Sequence, residues 1–399
     1  KGSTLAYSDT NNAFKPLPFS FERNSIATRV NKEGLIEVVG NDIPRIDYTD
    51  STEGALLLEN SATNLVTYSE DFSSVWSLDD ATVSINSGIS PDGTLNATLL
   101  KGNTNSSRHS LVTSGQANNT GTFSIFVKAK ELKYVQIASA NTTEQYVNFD
   151  LSNGTIGTVG SSFSNAKIEN YGNGWYRCIV VSANQFNGFY FSLVSGLNAT
   201  WLESWAMPNS TDGLYIYGAQ LESGNLSSYI PTNGSTVQRA AETCNGSGNS
   251  EVFNDSQGVL FADTSSFVID GSYRQISISN GSVSNYILIG LRSDTGNIYF
   301  DGSSCDTVIT NTKNVNSFAK CAFKYELNNF SFWLNGFKVG VDTSASVPIG
   351  LNKLDFGIVG VNNFYGNTKE IGYYDEILTD AELEKLTSYR SLNEMVTEL

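Results

Sequence analysis

Thr122-Phe123-Ser124-Ile125-Phe126-Val127-Lys128-Ala129 sets Phe123, Ile125 and Val127 on one side of an extended chain and Ser124, Phe126 and Lys128 on the other. Side chains alternate across a strand, so this period of two predicts a strand with one buried face. The same period recurs at Tyr176-Arg177-Cys178-Ile179-Val180-Val181, Gln275-Ile276-Ser277-Ile278-Ser279 and Phe330-Ser331-Phe332-Trp333-Leu334. Between such runs stand Asn153-Gly154, Asn173-Gly174, Asp212-Gly213, Asn280-Gly281, Asp301-Gly302 and Asn335-Gly336. These pairs supply the positive φ of tight hairpin turns. Strands recurring about every 8–12 residues predict β-sandwiches or barrels. Helix signals meet at one place: Thr379-Asp380-Ala381-Glu382 is a capping box, with Leu383, Leu386 and Tyr389 following at helical spacing. That helix is expected to cover the end of a sandwich. No 20–50-residue period repeats, which excludes solenoids and propellers.

The 399 residues suffice for two or three domains. With 24 Lys and Arg against 40 Asp and Glu, the net charge is −16. Phosphate affinity needs clustered cations, and no such cluster occurs, so neither nucleic acid nor an anionic membrane surface is expected as a partner. No apolar run reaches the roughly 20 residues of a bilayer-spanning helix, so no membrane insertion is expected. The chain opens with Lys1-Gly2-Ser3, from which no localisation is read. His109 is the single histidine, which excludes multi-histidine metal sites and leaves a Ser-His-Asp triad only that one base. In Arg108-His109 it is expected at an exposed turn or strand end. Cys178, Cys244, Cys305 and Cys321 show no metal-ligand spacing. They stay open as free core thiols or as one or two bridges, with Cys305 and Cys321 the nearest pair.

Three segments follow: 1–61, 62–236 and 237–399, the last break falling after the turn-rich Tyr229-Ile230-Pro231-Thr232-Asn233-Gly234-Ser235-Thr236. The first two carry a series of motifs in order. They are Ser25-Ile26-Ala27-Thr28-Arg29-Val30-Asn31, Gly34-Leu35-Ile36-Glu37, Pro44-Arg45-Ile46-Asp47-Tyr48, Leu56-Leu57-Leu58-Glu59 and Thr63-Asn64-Leu65-Val66-Thr67-Tyr68-Ser69-Glu70-Asp71-Phe72. Gly172-Asn173-Gly174-Trp175-Tyr176-Arg177-Cys178, Tyr215-Ile216-Tyr217-Gly218-Ala219-Gln220-Leu221-Glu222 and Ser228-Tyr229-Ile230-Pro231-Thr232 complete them. This series resembles the head-spike or tail-fibre module of bacteriophage virion proteins, and its middle part resembles a carbohydrate-binding jelly roll. Segment 237–399 resembles a laminin-G or concanavalin-A-like lectin sandwich. The likeness rests on Gly258-Val259-Leu260-Phe261, the Asn335-Gly336 hairpin, and Gly366-Asn367-Thr368-Lys369-Glu370-Ile371-Gly372-Tyr373-Tyr374 leading into Leu378-Thr379-Asp380-Ala381-Glu382-Leu383. The resemblance implies an all-β chain of tandem β-sandwiches, jelly roll then laminin-G-like, with one short C-terminal helix. Segment 1–61 is expected to pack on the sandwiches, its strands completing one of them.

Sugar recognition needs aromatic faces for C–H surfaces and amide or carboxylate groups for hydroxyls. Trp175 and Trp333 sit in alternating strands and are expected in the core; Tyr215 and Tyr217 share a strand face that is either core or groove. The candidate ligand contacts are Trp76, Trp201 and Trp205, near polar loops, and Phe364-Tyr365 in a loop of the last segment. A lectin-like sandwich implies calcium as the one cofactor to consider, for which Asp263, Asp294, Asp301 and Asp306 lie near turns; no cofactor is otherwise expected. No nucleophile elbow or phosphate-binding loop occurs, so no catalytic residue is assigned and the chain is expected not to be an enzyme. The function expected is that of a phage surface fibre or spike, acting outside the cell at the virion surface. It would bind host-surface polysaccharide alongside other virion proteins, as a homo-oligomer without coiled-coil heptads. The alternatives are a capsid decoration or spacer without ligand, and a polysaccharide-cleaving enzyme.

Overall fold

Alternating strands of this kind pair into sheets whose apolar faces must cover one another. The computed structural model describes residues 4–8, 13–17, 19–50, 52–113, 119–139, 142–186, 188–266, 272–292, 297–310, 317–391 and 395. It is all-β, and Asp380–Thr387 is the one helix among the described residues. The chain forms two units, each a two-sheet sandwich. The first sandwich comprises Ser25–Gly40 and Ser61–Ala240; the second comprises Lys1–Asn24, Asn41–Asn60 and Ala241–Leu399. The N-terminal 61 residues, read from sequence as one segment, are therefore shared between the two.

Among the described residues, one sheet of the first sandwich runs Ala81–Gly88, Ala97–Gly102, Gly213–Glu222, Asn119–Ala129, Trp175–Phe186, Phe163–Asn170. The other runs Thr155–Val159, Tyr146–Asp150, Tyr134–Ser139, Phe189–Leu193, His109–Val112, Ser77–Asp79. Phe123, Ile125 and Val127 enter the core between them with Leu100, Ile137, Phe149, Phe191 and Ile216. The Phe123 and Phe189 rings stack there at 4.2 Å. The opposite face of the first sheet carries Phe126, Trp175 and Tyr217 and is itself buried, under Ile36 and Tyr229. Ile36 belongs to the hairpin Ala27–Val30/Ile36–Val39, so the N-terminal residues of this unit roof the outer sheet face.

The second sandwich packs a nine-stranded sheet on a five-stranded one, again among the described residues. Ala55–Leu58 pairs with Gly366–Tyr374, which continues through Gln257–Ser266 and Ala319–Glu326 to the Asn335-Gly336 hairpin. Both hairpin residues have positive φ, 48° and 85°, which their side chains tolerate and most others do not. The helix keeps its capping box at Thr379 and Glu382. It lies on the outer face of the nine-stranded sheet rather than over the sandwich end, because Leu383 packs on Val259, Phe261, Ala322 and Trp333. All four cysteines are free, buried thiols, with no bridge; burial pushes Cys305 up to about 12 and so keeps it unreactive.

A buried charge cluster ties the second sandwich together. Glu242 accepts from Arg23 Nη1 at 2.8 Å, Arg45 Nε at 2.8 Å and the Glu59 backbone N–H at 2.8 Å. Arg45 also bonds Glu242 Oε2 and reaches Glu59 at 2.9 Å. The side chains of Arg23, Arg45 and Glu242 are fully buried. Burial alone would pull the Arg45 guanidinium down; Glu59 and Glu242 outweigh it and hold it above its ordinary value.

Candidate functional site

Three turns rise around the outer sheet face of the first sandwich. The first, at 31–35, is closed by the Asn31 side chain, whose Oδ1 accepts from Glu33 N and Leu35 N at 3.0 Å each. The next element, Ile36, donates to Pro91 O at 2.9 Å, setting the first turn beside the second. That second turn, at 90–94, is built on Asp92, whose Oδ1 accepts from Ser90 Oγ at 2.6 Å and Thr94 N at 2.7 Å. Gly93 has φ 83°, a conformation glycine takes freely, and a Cβ there would meet the Leu35 side chain at 2.9 Å. The third turn is the tight Tyr171–Trp175 hairpin. Tyr171 N donates to Trp175 O at 2.9 Å, and Asn173 and Gly174 take φ of 52° and 80°. The Trp175 indole donates to Ile89 O at 3.1 Å, tying the third turn to the second.

Between these turns lies a partly open cavity of about 250 Å³. Leu35, Ile89, Pro91, Tyr171 and Trp175 give it apolar and aromatic walls; Ser90, Lys128 and Asn173 bring polar groups. Tyr171 is held edge-on against Phe126, centroids 4.8 Å apart. A few polar groups converging on a largely apolar hollow is the usual make-up of a small-ligand site.

A chain of phenols and carboxyls anchors the second turn from behind. Tyr217 Oη lies 3.0 Å from Glu70 Oε1 and 3.1 Å from Asp92 Oδ2, and Tyr229 donates to Glu70 at 2.9 Å. The one Tyr217 proton serves one carboxylate at a time. Burial raises Glu70 above its ordinary value, Tyr229 and Tyr217 oppose this, and Asp92 adds repulsion. Burial would raise Asp92 too, but bonds from Ser90, Thr94 and Asn96 outweigh it and hold Asp92 low. The two acids therefore divide the work: Asp92 is the ionised one and Glu70 the one that takes up a proton first.

None of the five residues proposed from sequence lines this cavity. Trp76 is buried against Phe72 at 5.3 Å. Trp201 and Trp205 are half-buried. The three indole N–H groups donate to backbone carbonyls, Trp76 to Tyr68 at 3.1 Å, Trp201 to Ser139 at 3.2 Å and Trp205 to Leu193 at 3.0 Å. They are clasps on the loops, not exposed platforms. Phe364 is buried on Phe356 in the second sandwich, and half-buried Tyr365 lies under Arg274 at 5.0 Å. His109, expected exposed, is fully buried. Its Nδ1 and Nε2 each lie 2.9 Å from a carbonyl, of Asp80 and Trp205. Gly102 makes the room, since a Cβ there would stand 2.7 Å from the imidazole. Trp175 and Trp333 are in the core, as expected. Of the calcium candidates, Asp263 is buried and Asp301 accepts from Tyr286 at 3.0 Å. Asp294 and the side chain of Asp306 lie outside the described residues. Among the described residues no three His, Cys, Asp or Glu side chains gather as a metal site, and no helix is long and apolar enough to cross a membrane.

Sequence reasoning missed Tyr171, Lys128, Leu35 and Asn173 as a group. The available signal was Gly172-Asn173-Gly174-Trp175, a turn with an aromatic on each side.

No family model matches the chain, and no curated protein matches it. Among solved structures it is similar to the Ruminococcus gnavus IT-sialidase CBM40, at 14% identity and TM-score 0.31, over 36% of this chain and 94% of that one. The same module bound to alpha2,3 sialyllactose matches at 16% identity and TM-score 0.31, with the same coverage. Domains LG4-5 of the mouse laminin alpha1 chain match at 13% identity and TM-score 0.24, over 68% of this chain and 86% of that one. Likenesses this distant carry no weight for a ligand or a site.

Proposed function

We propose that the chain is a non-catalytic glycan-binding protein of a bacteriophage virion surface, attaching to host polysaccharide through the cavity of the first sandwich. The observation that carries the binding reading is the cavity itself. Tyr171 and the apolar walls suit the C–H face of a sugar ring, while Lys128 and Asn173 suit its hydroxyls. Binding is favoured over cleavage because no Asp or Glu among the described residues lines the cavity, and glycosidic hydrolysis ordinarily needs two facing carboxyl groups. The virion setting rests on the sequence resemblance of the first two segments. A partly open site of this size would bind weakly, and display in several copies would raise the avidity.

The test is titration of the protein with an oligosaccharide panel, repeated with Tyr171→Ala and Asn173→Ala. Binding that both variants weaken supports the reading. A protein that binds no oligosaccharide, or binds one undiminished in both variants, overturns it.

A further inference from the structure

We propose that the cavity selects an anionic sugar, with Lys128 as the residue that reads its charge; this rests on the glycan reading above. Lys128 follows Ser124 and Phe126 on the outer face of its strand, so its stem lies on the aromatic sheet surface. Its cross-strand neighbours are Trp175 on one side and Tyr215 on the other. Cross-strand positions are where a strand lysine ordinarily finds a carboxylate, and here both are aromatic. The stem runs past the Gly174 turn, where a Cβ would meet Lys128 Cε at 3.5 Å.

The ammonium has no carboxylate partner among the described residues, and it is the one charged group in the cavity lining. This is notable in a chain with 40 acidic residues against 24 basic ones. Asp92, the acid of the second turn, is already engaged. Besides the bonds to Oδ1, its Oδ2 accepts from Asn96 Nδ2 at 3.0 Å and shares the Tyr217 proton with Glu70. A half-buried cation beside apolar walls, with three donors and no anion, is completed by a ligand that brings the anion. The sugar ring would lie against Tyr171 and Leu35, with its carboxylate or sulfate on Lys128 and a hydroxyl on Asn173.

The experiment compares sugars matched except for charge: glucose with glucuronate, galactose with galacturonate and with galactose 6-sulfate. Each is titrated by NMR into the full chain and into Lys128→Gln, with melting temperature checking that the variant folds. A charge-assisted hydrogen bond corresponds to about tenfold to a hundredfold in affinity. The acidic member of a pair is expected to bind tighter by that factor, and Lys128→Gln to bring it down to the level of the neutral one. Preference for the sulfate over both uronates would support the inference and assign the charge to sulfate; the reverse would assign it to carboxylate. Equal binding of neutral and acidic sugars, or a preference that survives in Lys128→Gln, would overturn the inference while leaving the glycan reading standing. If no sugar of either kind binds, the glycan reading falls and this inference falls with it.

Discussion

Glu242→Gln removes the negative charge from the centre of the buried cluster in the second sandwich. In the native chain two guanidinium groups and two carboxylates balance. The substitution takes away the carboxylate that Arg23 and Arg45 share, and turns an amide N–H or a weaker carbonyl toward donors that Glu242 now satisfies at 2.8 Å. Removing one partner of a buried ion pair costs about 3–5 kcal/mol, because the other charge stays buried. For a unit of roughly 200 residues each kcal/mol moves the melting temperature by about 2–4 °C. The transition of the second sandwich should therefore fall by roughly 6–20 °C, read by calorimetry with the first sandwich as an internal reference. Adding Arg23→Met removes one of the two cations that lost the shared carboxylate, and Arg45 keeps its 2.9 Å contact with Glu59. The double variant should then cost less than the two single ones together, by about 0.5–3 kcal/mol. A Glu242→Gln protein melting within about 1 °C of the parent, or strictly additive single variants, would show that the cluster's charges do not hold this region.

Three further outcomes can be checked. Glu70 has its folded value raised, so the native state holds a proton that the unfolded chain releases. Its contribution is complete below the ordinary carboxyl value and is lost as pH rises through the folded one. Melting curves from pH 4 to 7 should show that decline in the parent and a flatter profile in Glu70→Gln; parallel profiles would refute the assignment. Gly290→Ala places a Cβ 2.2 Å from the Tyr299 ring, which Gln275 pins by its hydroxyl at 2.5 Å. A loss of about 1–3 kcal/mol in denaturant unfolding is expected from the overpacking, and no loss would mean that the ring is free to move aside. Thr379→Ala should cost about 1 kcal/mol and raise amide exchange in Asp380–Thr387 first; unchanged exchange there would show that the cap is not what holds the helix.

The readable part of this molecule is the part with a short period. Strand alternation, the Asn335-Gly336 hairpin and the Thr379–Glu382 cap are each decided within a few residues, so the all-β class and the helix Asp380–Thr387 follow from the sequence. The cavity is decided by three turns some 60–80 residues apart, brought together by bonds such as Ile36 N to Pro91 O and the Trp175 indole to Ile89 O. No local pattern encodes those pairings. The indole bonds of the tryptophans are not legible for a related reason. A polar loop sequence around Trp76, Trp201 or Trp205 says that water is near, but not that a backbone carbonyl stands ready to take the indole proton. His109 was misplaced because the glycine that makes room for it, Gly102, belongs to a different strand.

Leu58 pairs with Gly366, and this has a consequence for synthesis. Polypeptides emerge from the ribosome at about 5–20 residues per second, so Ala55–Leu58 waits roughly 15–60 s for the second of its two partner strands, Gly366–Tyr374, to exist. Throughout that interval the apolar Ala-Leu-Leu-Leu run can pair with Arg45–Asp47 on one edge only, and its other edge stays open. A nascent chain in that condition is a natural client for a chaperone that shields short apolar strands. Ribosome-arrested chains ending near residue 250 should be captured by such a factor, and full-length chains released.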